Sequence, residues 1–203
     1  MSQQKGKFIV IEGVDGCGKG TLMEHLRKVL PMDQFVFTRE PGGTPFGGEL
    51  RDLLLSSEID PITQILLFEA DRKLHIEQVI LPALNSGKHV ISDRFDASTF
   101  AYQAQTKELQ NFFKLINDEI TRDCRPDRYI FLDLPIEVSV ERTKIRGEAT
   151  NVFESKPKEY FEGVRMRYNQ FFQTLPVYWI DAETSKELVL GQAKEVIRTT
   201  CPF

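Results

Sequence analysis

The segment Phe8-Ile9-Val10-Ile11-Glu12-Gly13-Val14-Asp15-Gly16-Cys17-Gly18-Lys19-Gly20-Thr21 decides how this chain is read. An apolar run, Phe8–Glu12, enters a glycine-rich turn and leaves it into a stretch whose Leu22, Leu26, Val29 and Leu30 share a helical face. Strand, glycine loop, lysine and helix in that order form a phosphate-binding loop. The glycines let the backbone curl so that its N–H groups point at phosphate oxygens, and the helix dipole adds favourable potential. Lys19 supplies a point charge for the β- and γ-phosphates of a nucleotide. The strict pattern ends in Gly-Lys-Ser/Thr. Gly20 stands where that hydroxyl, a usual Mg²⁺ ligand, is expected, and Thr21 follows one position late.

Working outward, four more runs read as strands: Phe35–Thr38, His89–Asp93, Arg128–Asp133 and Val177–Asp181. All five are nearly continuous in apolar residues, as strands buried on both faces would be. Helical stripes lie between them, among them Leu109, Phe112, Phe113, Ile116 and Ile120, then Phe161, Val164, Tyr168, Phe171 and Phe172, then Val189, Ala193, Val196 and Ile197. Each stripe is expected to be core. Asp60-Pro61 reads as a cap and first residue of a long helix. Strands alternating with helices predict an α/β fold with a parallel sheet, in which ligands bind beyond the carboxyl ends of the strands. Three of those ends carry chemistry: the loop at Gly13, Arg39-Glu40, and Asp93-Arg94.

A chain of 203 residues, 41% hydrophobic and 28% charged, suits one domain with a sizeable core. No apolar run is long enough for a membrane span. The polar stretch Met1–Lys7 lacks a signal-peptide core, so the expected location is the cytoplasm. A net charge of −4 argues against nucleic-acid binding by the surface as a whole. Cys17, Cys124 and Cys201 fit no disulfide framework or zinc pattern and are expected to be reduced thiols. Cys17, just before a helix N-terminus, is expected to be the reactive one. The three histidines, His25, His75 and His89, share no ligand spacing and read as structural or surface residues.

Six segments in order resemble the bacterial-type thymidylate kinases across residues 7–184. They are Phe8–Thr21, Phe37-Thr38-Arg39-Glu40-Pro41-Gly42-Gly43-Thr44, Leu67–Arg72, Asp93-Arg94-Phe95 through Tyr102-Gln103, Arg125-Pro126-Asp127, and Arg146-Gly147-Glu148. The loop alone indicates only a phosphate binder; the Thr-Arg-Glu-Pro-Gly-Gly-Thr run is far more specific. The resemblance implies a three-layer nucleoside-monophosphate-kinase fold, a five-stranded parallel sheet with helices on both faces. It implies transfer of the γ-phosphoryl of MgATP to dTMP, and a homodimer. Two alternatives stay open: a broader deoxynucleoside monophosphate kinase, and a catalytically weak nucleotide-binding regulatory protein.

The same resemblance assigns roles. Gly13, Val14, Asp15, Gly16, Cys17, Gly18, Lys19, Gly20 and Thr21 would bind ATP, with Arg142 and, for adenine, the region of Asp181-Ala182. Asp15 would contact the deoxyribose 3′-OH and Mg²⁺. Arg39 and Arg94 would hold the acceptor phosphate, work suited to a bidentate, permanently charged group. Asp93 would bind the metal through water and orient Arg94. Phe68 would stack on thymine, Arg72 and Gln103 would hydrogen-bond its edge, and Thr99 would lie near it. Tyr102 would crowd the ribose 2′ position, and Arg51 would assist on the base or phosphate side. A lid is expected at about 142–155. Eukaryotic-type members carry an arginine where this chain has Gly16, so the transition-state charge must be met from the lid, by Arg146. Gly-Lys-Gly-Thr resembles adenylate kinases, where the metal is held largely by water and the phosphates. The lid departs from the family pattern at Ala149-Thr150 and at Lys144, and Ala104-Gln105-Thr106-Lys107 replaces a customary glycine-rich loop.

Overall fold

The computed structural model of the protein describes residues 5–146 and 156–201, the Arg146 side chain excepted. Five strands form one sheet: β1 (Phe8–Gly13), β2 (Phe35–Arg39), β3 (His89–Asp93), β4 (Arg128–Asp133) and β5 (Val177–Asp181). The order is β2-β3-β1-β4-β5, with every pairing parallel. All five predicted strands are present, two of them one residue longer than expected. Burial differs by position, however. Central β1 is buried throughout, whereas edge strands β2 and β5 expose part of their length, Tyr178 and Trp179 included. An edge strand has one neighbour and incomplete helix cover, so an apolar sequence does not guarantee burial on both faces.

Parallel register brings the strand ends level. Arg39 pairs with Asp93, Ile11 with Asp93, Gly13 with Leu132, and Asp133 with Asp181. The chemistry carried by the last residues of β1, β2 and β3 is therefore gathered on one edge of the sheet.

Helices α1 (Lys19–Val29) and α9 (Lys186–Thr200) pack on each other and on the sheet. A second layer holds α2 (Pro45–Ser56), α3 (Pro61–His75), α5 (Asp96–Gln103), α6 (Lys107–Ile120), α7 (Ile136–Arg146) and α8 (Lys158–Phe171). Asp60 caps α3 as expected, accepting from the Thr63 amide at 3.0 Å. That helix runs on through a π-helical turn, Ile76–Ile80, into α4 (Leu81–Asn85). Pro82 supplies no N–H to the preceding turn, and its ring crowds the carbonyl four residues back, which accounts for the widened turn. The main core spans sheet and helices, and a satellite cluster of Ile65, Phe100, Ala104 and Phe113 lies among α3, α5, α6 and α8. Val29, expected in the core, is 46% exposed at the end of α1.

Candidate active site

Beyond β1, residues 14–18 turn into α1. Gly18 occupies the N-cap position in a left-handed conformation (φ 97°), and no side chain caps the helix. The first amides of α1 are therefore left for an anion. Gly16 (φ +78°) is a second left-handed glycine, and a Cβ there would lie 2.6 Å from Ser139 O on α7. No side chain fits at position 16 in this packing, which gives a steric reason for the missing loop arginine. Ser139 also donates its hydroxyl to Asp15 O at 2.5 Å, tying α7 to the loop. Lys19 folds back across the loop and donates to Gly13 O (2.9 Å) and Val14 O (3.1 Å).

Facing this loop is a cleft whose lining includes Asp15, Arg51, Phe68, Arg94, Thr99 and Tyr102. Arg72 and Gln103 complete the set, so eight of the nine expected acceptor-side residues share one cleft. The ninth, Arg39, stands at its edge: a Cβ on Gly42 would be 3.5 Å from both Arg39 Nε and Arg51 Cδ. Burial, then the charges of Arg39 and Arg94, push the Arg51 pKa down. Three guanidiniums crowding one another without a full complement of carboxylates make a site for a dianion.

Deeper in, the Arg72 guanidinium is 1% exposed and held on three sides. Its Nε donates to Glu40 Oε2 (3.0 Å), Nη1 pairs with Glu69, and Nη2 donates to Thr99 Oγ1 (2.9 Å). It also stacks over the Phe95 ring at 5.0 Å. Burial works against its charge, but Glu69, Glu40 and Asp96 outweigh that and raise its pKa. Two of its five N–H groups stay available to a ligand's edge. Close by, Gln103 Oε1 is buried without a hydrogen-bond partner, an acceptor aimed at nothing within the protein. The cleft thus offers arginine donors and one amide acceptor beside the Phe68 ring, matching a base with a carbonyl next to a ring N–H.

The second glycine of the Arg39–Thr44 loop has a similar steric origin. A Cβ on Gly43 would strike the ring of His75, which itself bridges Glu40 Oε1 (2.8 Å) and Thr38 Oγ1 (2.6 Å). The expectation that the histidines are structural holds here, since His75 holds the carboxylate that holds Arg72.

Two expectations need correction. Asp93 does not hold Arg94 by a hydrogen bond: its Oδ1 is buried with no hydrogen-bond partner, and Asp93 acts on Arg94 only through its charge. Arg94 is held instead by Asp15, by Ser98 Oγ at 2.9 Å, and at longer range by Gly13 O and Tyr168 OH. Arg94 leaves the strand in a left-handed conformation (φ 71°), and its hydrogen bonds go to residues other than its neighbour in sequence. Cys17 is no activated thiol: burial pushes its pKa up, and Lys19 only partly offsets this.

Sequence reasoning also missed residues. Tyr168, expected as core, presents its hydroxyl to Glu12 and Ser98, a polar tip on an apolar stripe. Glu12 is fully buried, and the signal for it was a carboxylate closing an otherwise apolar strand. Glu40, Glu69 and Asp71 are buried carboxylates around the base end of the cleft.

On the donor side, Arg142 donates to Ala182 O at 3.2 Å, so the two regions assigned to ATP do meet. Thr21 is half-buried in α1 with no side-chain bond to the loop. Of the expected lid, residues 147–155 and the Arg146 side chain lie outside the described residues. The described residues contain no cluster of three metal-ligating side chains. The orphaned Asp93 Oδ1, buried at the mouth of the loop, is the kind of atom a water on Mg²⁺ would satisfy, so the donor set fits water-mediated binding.

A family description, "Thymidylate kinase", matches residues 11–193. Among curated proteins the chain is 38% identical over 206 residues to the thymidylate kinase of Prochlorococcus marinus strain NATL2A, covering 96% of this chain and 97% of that one. It is 38% identical to the Halothermothrix orenii thymidylate kinase (90% and 92% covered) and 37% identical to that of Bdellovibrio bacteriovorus (93% and 94%).

Proposed function

The chain belongs to the thymidylate kinase family, whose reaction moves the γ-phosphoryl of ATP to dTMP, and we propose how its own residues divide that work. The observation that carries the proposal is the convergence of Arg39, Arg51 and Arg94 between the phosphate loop and the base pocket. These three hold the acceptor phosphate. Phe68 stacks on thymine, Arg72 donates to a base carbonyl, Gln103 Oε1 accepts from the ring N–H, and Thr99 keeps Arg72 in place.

Tyr102 is assigned to crowd the ribose 2′ position. Its hydroxyl accepts from the Asp15 amide (3.2 Å) and donates to Asp15 Oδ2 (3.1 Å), which fixes the ring against rotation. Asp15 therefore joins the two substrate sites, as one residue of the ATP loop that also frames the sugar.

On the donor side, Lys19 leaves the loop carbonyls for the β- and γ-phosphates. Arg142 and the lid at 142–155 close over ATP, and Arg146 neutralises charge on the transferred group. Mg²⁺, held by Asp93 and Asp15 largely through water, would supply further charge neutralisation on the phosphate chain. The acceptor oxygen is already a nucleophile, so positioning and charge neutralisation suffice and no covalent intermediate is needed.

The chain is further read as a single kinase domain that works in the cytoplasm as a homodimer. Three buried free cysteines fit a reducing compartment, and no described helix is long and apolar enough to cross a membrane. For the dimer, Phe46 and Leu53 on α2 and Ile62 and Leu66 on α3 are each 47–50% exposed at spacings that share a helix face.

A coupled assay with ATP and a panel of dTMP, dUMP and ribothymidine monophosphate tests this division. Preferred turnover of dTMP is expected. Absence of turnover on every acceptor would sink the reading, and equal turnover of the ribonucleotide would remove Tyr102 from sugar selection.

A further inference from the structure

We propose that Glu12 is a positioning residue for acceptor-phosphate binding: it sets Ser98 and Tyr168 as hydrogen-bond acceptors that hold the Arg94 guanidinium. The proposal rests on the reading of Arg94 as a phosphate ligand.

Glu12 is the penultimate residue of β1 and is fully buried. A carboxylate there is costly unless its oxygens are bonded. Oε1 accepts from the Phe95 amide (2.8 Å) and the Ser98 amide (3.2 Å). Those are the N-cap and a first-turn amide of α5, a helix that no side chain of its own caps. Glu12 thus caps α5 from a neighbouring strand, with its negative end toward the helix N-terminus.

The residue just before that cap is Arg94, in a left-handed conformation (φ 71°) that a side-chain-bearing residue seldom adopts. Its backbone is clamped on both sides: Arg94 N donates to Ile11 O at 2.9 Å, and Ser92 Oγ donates to Arg94 O at 2.8 Å. Such a backbone persists only where the surroundings over-determine it, and the Glu12 cap is one of those constraints.

Oε2 does the second part. It accepts from Ser98 Oγ (2.6 Å) and Tyr168 OH (3.0 Å). Ser98 Oγ and Tyr168 OH also lie 2.8 Å apart, so each hydroxyl spends its single proton on Glu12 or on the other hydroxyl and turns only lone pairs toward further partners. Arg94 Nη1 lies 2.9 Å from Ser98 Oγ and 3.4 Å from Tyr168 OH and meets those lone pairs. The guanidinium is thereby held over the Tyr102 ring (5.3 Å), facing the cleft. Carboxylate, two hydroxyls and guanidinium form one chain from the strand interior to the site where the phosphate binds.

Calorimetric titration of the full-length protein with dTMP and with thymidine separates positioning from plain folding, because only dTMP carries the phosphate. Arg94→Ala is expected to weaken dTMP and spare thymidine. Unchanged dTMP affinity in that variant overturns the phosphate assignment, and this proposal with it. Given the expected Arg94 result, Glu12→Gln should weaken dTMP by about tenfold, the size of one charge-assisted hydrogen bond, and thymidine by less than about twofold. Equal weakening of both ligands, or of neither, overturns the proposal while leaving the Arg94 assignment intact. In the Arg94→Ala background Glu12→Gln should cost nothing further for dTMP, and a full additive loss there refutes action through Arg94. If Glu12→Gln does not fold, Ser98→Ala and Tyr168→Phe remove the two relays singly. Each is expected to weaken dTMP alone, and a loss from neither overturns the proposal.

Discussion

The acceptor cleft and the donor loop sit at the ends of adjacent strands and are built from opposite materials. In the cleft, guanidiniums are fixed by side chains that are themselves fixed: Arg72 by Glu40, Glu69 and Thr99, with Glu40 held in turn by His75. Arg94 is held by Asp15, Ser98 and Tyr168. The donor loop offers backbone amides at an uncapped helix start, and its lysine rests on the loop's own carbonyls. The acceptor side must distinguish one base and one sugar, and discrimination requires polar groups placed before the ligand arrives. A triphosphate chain presents little to distinguish, so curled backbone and mobile charge suffice. The cleft is therefore preorganised, and on the proposed reading the donor site is completed by the lid.

If that contrast is right, the largest single loss comes from the closing charge. Arg146→Ala should lower kcat by about a thousandfold, the scale of a transition-state arginine, with little change in dTMP affinity. Steady-state kinetics with dTMP titration would show it. A variant with normal kcat and weakened dTMP would move Arg146 to the acceptor side and erase the asymmetry.

The acceptor side should answer differently. Arg51 is crowded by Arg39 and Arg94, and its Nη1 reaches Pro41 O at 3.2 Å. Removing it relieves repulsion but deletes a charge-assisted bond to phosphate. Arg51→Ala should raise the KM for dTMP by roughly tenfold to a hundredfold, with a smaller fall in kcat. A change confined to kcat would count against a preorganised ground-state site.

Preorganisation by buried carboxylates also carries a pH signature. Burial, followed by the Glu40 charge and opposed by Arg72, raises Glu69 to about 7; burial likewise raises Asp71 to about 6. Raised carboxyl groups keep more protons in the folded than in the unfolded protein. Their stabilisation is complete below the unfolded values near 4.5 and 3.8 and is lost as pH climbs through 6 to 7. Within that window the more deeply buried Glu69 tilts stability by up to roughly 1.4 kcal/mol per pH unit. The thermal midpoint should therefore fall between pH 5 and pH 8, and Glu69→Gln should flatten the slope. An unchanged slope would mean that Glu69 remains ionised throughout, neutralised by Arg72.

How much of this was legible in the sequence follows the same divide. The five strands, the loop and the identity of the cleft residues were readable, because strand runs and motif residues advertise themselves locally. What holds the site was not. Glu12 meets Ser98 and Tyr168 across 86 and 156 residues, and nothing in the local pattern of α8 separates Tyr168 from its core neighbours. Asp93 and Arg94 look like partners in sequence, yet the hydrogen bonds of Arg94 go to Ser98, Gly13 and Tyr168 instead. Gly16 was noted for what it lacks; the reason, Ser139 O on α7, is a contact between distant segments.

The smallest expected effect bears on whether the plain construction of the donor loop is forced. Unlike Gly16, Gly20 has open space around it: a Cβ at that position would meet no described atom within 4 Å, and its backbone is not left-handed, so nothing in the described fold demands glycine there. It is the second residue of α1, where glycine costs the helix about half a kcal/mol relative to serine. Gly20→Ser should fold at least as stably as the parent. It would also restore the hydroxyl that the strict phosphate-loop pattern places on Mg²⁺. The expected outcome is a few-fold lower Mg²⁺ requirement for half-maximal rate, with kcat within about twofold of the parent, since on the proposed reading Asp93 and Asp15 hold the metal through water. A large gain in kcat would show that the loop limits this enzyme, and that the donor side is under-built. No shift in Mg²⁺ dependence would place the metal out of reach of position 20 and leave it wholly to the two carboxylates.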